Sequence, residues 1–116
     1  MNMKKIIVFL FAIAPFLLMA QKKDLQKTIF EVDGVCGMCK ARIEKTAFGI
    51  KGVKTATWDI PSHQFQVLYD ANKVSIEDIH ASIANAGHDT PLATAPDHVY
   101  ENLPMCCLYE RKKKVE

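Results

Sequence analysis

Between Lys27 and Leu92 the spacing of apolar residues switches from period two to the helical period and back, twice, within about 65 residues, and few folds accommodate that order. Lys27 to Val32 alternates as a strand does, with Phe30 and Val32 on one side and Ile29 and Glu31 on the other. Asp33-Gly34 breaks the strand, and a short loop carries Val35 to Met38. A helix starts near Cys39, its buried stripe formed by Ile43, Ala47 and Ile50, and Gly49 and Gly52 end it. Val53 to Ile60 is a second strand, with Ala56, Trp58 and Ile60 facing one way. Pro61-Ser62-His63-Gln64 is a hairpin turn, and Phe65, Val67 and Tyr69 alternate in the returning strand. Ser75 caps a second helix with Asp78 three residues on, Ile76, Ile79 and Ile83 face inward, and Gly87 stops it. His88 to Leu92 reads as a short final strand. The order β-α-β-β-α-β predicts an α+β, ferredoxin-like sandwich: an antiparallel four-stranded sheet with both helices on one face. Trp58 and the isoleucines follow the periods of core residues.

The flanks differ in character. Lys4 and Lys5 precede an apolar run from Ile6 to Met19, broken only by Pro15, and Ala20 offers a small residue before polar Gln21. That is the layout of a signal peptide over residues 1–20, and the run is short for a membrane span. The reading implies a cleaved, periplasmic or secreted protein. Residues 21–92 then hold the folded domain, and 93–116 form a tail with a Cys-Cys motif and a basic end. Losing Lys4 and Lys5 takes the formal charge of +2 to about zero, which leaves no global basic field for nucleic acid. Arg111-Lys112-Lys113-Lys114 reads as a basic run that is either solvated or set against an acidic surface.

The four cysteines, Cys36, Cys39, Cys106 and Cys107, come as two local pairs. A disulfide stabilises most when it closes a long loop, so pairing within either pair gains little, and a bridge between the pairs stays open as an alternative. Cys36-Gly37-Met38-Cys39 sits between a strand and the first turn of a helix. There the free amides and the positive dipole end favour thiolate over thiol, and Lys40 and Arg42 add positive charge. Two soft sulfur donors without a hard ligand select Cu(I), in linear or three-coordinate geometry; Ag(I) and Hg(II) share that preference. Zn(II) wants four ligands, which two thiolates do not supply.

Gly34-Val35-Cys36-Gly37-Met38-Cys39, Ile43-Glu44-Lys45, Gly52-Val53, Tyr69-Asp70 and Ala86-Gly87-His88-Asp89 together resemble the heavy-metal-associated domain. That family includes copper chaperones, modules of copper-transporting ATPases and periplasmic mercury-binding proteins. The resemblance implies that Cys36 and Cys39 are the metal ligands. Val35 stands where the family usually has Met, and is expected as a buried anchor under the loop. The loop after the second helix approaches the metal in the family, so His88 is either a third ligand or a histidine bonded to backbone. His63, His80 and His98 read as surface residues, and Met38 as exposed rather than a thioether ligand. Cys106 and Cys107 either complete a three- or four-sulfur site or form an idle tail.

No acid–base pair or nucleophile–base arrangement is visible, so a carrier rather than an enzyme is expected. It would pass its ion to a metal-transporting membrane protein or another carrier by ligand exchange, as a monomer or a metal-bridged dimer. The alternatives are a periplasmic thiol–disulfide oxidoreductase, a Hg(II)- or Zn(II)-binding protein, and a module whose metal is structural.

Overall fold

The computed structural model describes residues 23–112. The expected signal peptide at residues 1–20 and the end of the basic run, Lys113-Lys114, lie outside them. In chain order the elements are β1 (Leu25–Glu31), α1 (Gly37–Phe48), β2 (Val53–Trp58), β3 (Gln64–Asp70), α2 (Ile76–Asn85), α3 (Asp97–Glu101) and a 3-10 turn over Met105–Cys107.

The sheet is antiparallel and three-stranded in the order β1-β3-β2. Its register puts Phe30 opposite Phe65, and Phe65 opposite Trp58. One aromatic row therefore crosses all three strands on the face that the helices cover. Phe30 and Phe65 meet edge-on at 5.2 Å. Val67 and Tyr69 repeat the pattern two and four residues along β3, while Ile29, on the opposite face, stays exposed. Cys39, Ile43 and Ala47 of α1 and Ile79 and Ile83 of α2 close the core from above. Each fully buried side chain of this size contributes roughly 1.5–3 kcal/mol. The Trp58 indole N–H donates to the Val32 carbonyl at 3.0 Å, which ties the sheet to the loop that follows β1. Ser75 caps α2 by accepting the Asp78 amide at 3.1 Å.

The four-stranded expectation needs correction: among the described residues, the fourth strand at His88–Leu92 does not form. The chain arrives at the right place, since the Asp33 amide donates to the Asp89 carbonyl at 3.0 Å. It then turns away. The Thr90 amide bonds the Ala93 carbonyl at 2.8 Å, and Thr90 Oγ1 takes the Leu92 and Ala93 amides at 3.3 and 3.0 Å. Pro91 has no N–H to offer a ladder.

The tail beyond this turn packs against the domain. Leu103, Cys107 and Tyr109 join the core cluster. The Tyr109 hydroxyl donates to the Gly87 carbonyl at 2.7 Å and accepts the Asp89 amide at 3.0 Å, and the Tyr100 hydroxyl donates to the Tyr109 carbonyl. Arg111 forks onto Asp89, Nε to Oδ2 at 2.9 Å and Nη2 to Oδ1 at 2.8 Å, and its Nη1 donates to Asp97 Oδ1 at 2.9 Å. Its guanidinium lies 4.8 Å over the Tyr100 ring. Lys112 pairs with Glu31 and, at 3.6 Å, with Asp33. Of the two readings of the basic run, Arg111 and Lys112 follow the second: they meet acidic side chains and pin the tail. His80 also departs from expectation. It is buried, stacked on Phe30 at 3.8 Å, with Nδ1 at 2.7 Å from Thr90 Oγ1.

Candidate metal centre

Two positions in one turn of α1 set the loop. Cys36 is the N-cap residue, with extended backbone (φ −134°, ψ −179°), so its sulfur faces the open amides of the first turn. Cys39 is the first member of the inward stripe that continues through Ile43 and Ala47, and is fully buried. Beneath the loop, a Cβ on Gly34 would come 2.9 Å from Trp58 Cη2 and 3.2 Å from Cys39 Cβ. That space is filled by the indole and by Cys39, which leaves room only for glycine at position 34; Val35, the next residue, is 48% exposed. The expectation of Val35 as a buried anchor is corrected accordingly. Met38 is exposed, as expected.

The tail then delivers two more sulfurs. Cys36 Sγ lies 3.8 Å from Cys39 Sγ and 3.8 Å from Cys107 Sγ, and Cys106 Sγ lies 3.9 Å from Cys107 Sγ. Cys36, Cys106 and Cys107 fall within 4.8 Å of one another, and Cys39 is not within that distance of all three. Cys106 also reaches Met38 Sδ at 3.3 Å. All four thiols are free.

The thiols are unequal. The Cys39 amide, helped by Cys106, the Met38 amide and Cys107, brings the Cys36 thiol down to about 7. Burial first, then Cys107, pushes Cys39 up to about 11. Cys106 is raised chiefly by its neighbour Cys36. The pair is thus primed with one thiolate near neutral pH and one that ionises when a metal arrives.

His88 stands behind the sulfurs rather than among them. It is fully buried, and its Nδ1 lies 2.9 Å from the Asp33 carbonyl, a contact that assigns the proton to Nδ1. The Nε2 lone pair then faces Arg42 Nη1 at 3.4 Å, and that same Nη1 donates to Cys107 Sγ at 3.3 Å. Burial holds the imidazole below its usual pKa, so it stays neutral and accepts from the guanidinium. Arg42, which the sequence offers only as nearby charge, becomes the counter-ion of the cluster; its contact depends on the path of the tail. His63 packs on Trp58 at 5.5 Å and groups with Glu31 and Asp33, carboxylates that Lys112 already engages.

A profile of the heavy-metal-associated domain matches residues 29–89. The copper chaperone CopZ of Staphylococcus aureus (strain JH9) is 32% identical over 66 residues, 56% of this chain and 97% of CopZ. A copper binding domain from HMA7, a P-type ATPase, superposes with a TM-score of 0.55 at 28% identity, over 59% of this chain and 93% of that one. Oxidized MerP from Ralstonia metallidurans CH34 superposes with a TM-score of 0.56 at 24% identity, over 58% and 94%, a likeness of fold. The profile takes in Cys36, Cys39 and His88 and stops short of Cys106 and Cys107. With more than half of its length matched and the cysteine pair at the start of α1 inside the match, this chain belongs to the heavy-metal-associated domain family.

Proposed function

We propose that this protein is an exported, non-enzymatic carrier that binds Cu(I) through the thiolates of Cys36 and Cys39, with the tail cysteines enclosing the ion. The observation that carries the reading is the all-sulfur donor set, with Cys36 held near neutrality at a helix N-terminus. Soft thiolates without carboxylate or imidazole in their group suit Cu(I), and equally Ag(I) and Hg(II), over harder ions. The spacing fits as well. Metal–sulfur bonds of about 2.3 Å give sulfur–sulfur edges of about 3.8 Å in a tetrahedron, about 4.0 Å in a triangle and about 4.6 Å across a line. The contacts of 3.8, 3.8 and 3.9 Å match the triangular or tetrahedral edge rather than the linear span. A zinc tetrahedron needs all four sulfurs mutually close, and Cys39 does not meet that condition.

The relatives support copper as the cargo, being named a copper chaperone and a copper binding domain of a P-type ATPase. A transporter module of that kind is the partner we propose, receiving the ion one thiolate at a time. Tail sulfurs slow that release, so the protein favours sequestration over rapid delivery. Export rests on Lys4, Lys5, the apolar run from Ile6 to Met19 and Ala20. The decisive experiment is anaerobic competition of the reduced protein against a Cu(I) chelator. Cys36→Ser and Cys39→Ser should each lower affinity at least tenfold while circular dichroism is unchanged. Wild-type affinity in both variants would sink the carrier reading. Zn(II) should fail to displace Cu(I), and a mature N-terminus at Gln21 in the extracytoplasmic fraction should confirm export.

A further inference from the structure

Four sulfurs are more than linear or trigonal Cu(I) takes, and Cys39 is not within 4.8 Å of all three of the others. Cys36, Cys106 and Cys107 make a compact triangle, whereas Cys39 lies outside it, 3.8 Å from Cys36 and beside Cys107. We propose that the cluster holds two Cu(I) ions per chain, one in the triangle of Cys36, Cys106 and Cys107 and one in the Cys36–Cys39 loop, with the Cys36 sulfur bridging them. The inference rests on the Cu(I) reading above and deepens it.

Three observations carry it. The first is connectivity: Cys36 is within 3.8 Å of Cys39 and of Cys107, and closes the triangle with Cys106. A thiolate keeps lone pairs for a second metal after binding the first, so this sulfur is placed to bridge. The second is ligand count. Three sulfurs complete a Cu(I) in the triangle, which leaves Cys39 to form a two-sulfur site with the shared Cys36.

The third is charge. A first Cu(I) on three thiolates, with Arg42 bonded to Cys107 at 3.3 Å, sums to −1 while Cys39 remains a thiol. A second Cu(I) displaces the Cys39 proton, so the sum stays at −1 and the buried centre takes the second ion without added charge. Lys40, the other cation of the first turn, is committed to Glu44 at 2.5 Å and to the Trp58 carbonyl at 2.8 Å. His88 is neutral and supplies no charge. No electrons move in loading: each thiol that binds releases its proton to solvent, and copper enters and stays as Cu(I).

The test is anaerobic Cu(I) titration of the reduced full chain, read by native mass spectrometry and X-ray absorption. Wild type should bind two Cu(I) per monomer, with a copper–copper scattering shell appearing between the first and second equivalents. Cys106→Ala, a change at an exposed position, should bind one, lose that shell and keep the loop site. Cys39→Ala should also bind one, more weakly than wild type and in three-sulfur coordination; should it fail to fold, the Cys106→Ala result decides alone. Saturation of wild type at one Cu(I) per chain overturns the two-ion site while leaving the carrier reading intact. Two ions found only between paired chains overturn it too. No Cu(I) bound by wild type removes the carrier reading itself.

Discussion

Tyr109→Phe probes how firmly the tail holds Cys107 in place. The hydroxyl donates to the Gly87 carbonyl at 2.7 Å and accepts the Asp89 amide at 3.0 Å, and Tyr109 is 3% exposed. Deleting one oxygen therefore strands two backbone groups while leaving the ring, its packing and the Arg111 clamp intact. A net loss of about 1 to 1.5 kcal/mol per bond gives about 2–3 kcal/mol in all. Since about 1.4 kcal/mol is a tenfold change, the population with the tail undocked should rise about 30- to 140-fold. The assay is pulsed alkylation of the metal-free, reduced protein, with each cysteine quantified by peptide mass spectrometry. Cys107 is fully buried, so its labelling reports undocking, and Cys36 on the loop serves as the internal reference. The variant should label Cys107 faster by that factor with Cys36 changed little. Equal Cys107 rates in the two proteins would refute the claim that this hydroxyl fastens the tail.

Iodoacetamide should modify Cys36 before Cys39 at neutral pH, its rate rising through a midpoint near 7, because the two thiols sit at about 7 and about 11; mass mapping across pH checks this. Gly87→Ala should destabilise the protein by about 1–3 kcal/mol in urea unfolding, since Gly87 has φ +113° and the new Cβ would come 2.8 Å from Leu103 Cδ2. His80 and His88 both have folded pKa values lowered by burial. The unfolded chain takes up their protons at about 6.5 and the folded one resists, so calorimetric stability should be full above that pH and fall as pH drops below it.

The hairpin and both helices were legible because their signals are local. Phe65, Val67 and Tyr69 declare a half-buried strand by alternation alone, and Ser75 declares a helix start. Cys36 and Cys39 were legible for the same reason, a motif read at the junction of two periods. The fourth strand misled because Asp89 does reach the segment just after β1, and the Thr90-Pro91 turn carries the chain away after one backbone bond. Val35 misled because an apolar residue in a loop carries no local mark of the side it faces, and here it is exposed. His80 looks like a surface residue until Phe30 stacks on it. The tail could be suspected but not placed, since Asp89 and Arg111 carry no mark of each other until the chain brings them together.

The missing fourth strand also leaves β1 on the outside of the sheet. Among the described residues, β1 is paired on one side only, by β3. A strand with one open side presents a row of donors and acceptors to which a second chain can add, and Leu25 and Ile29 give this one exposed apolar side chains. Natural sheets blunt such rims with charge, and Lys27, exposed between those two residues, is a guard of that kind. Charge on this rim thus comes from Lys27 within a seven-residue strand and from Glu31, with Lys112 upon it, at its end; neutralising Lys27 would favour rim-to-rim pairing of chains along the Leu25–Ile29 stretch.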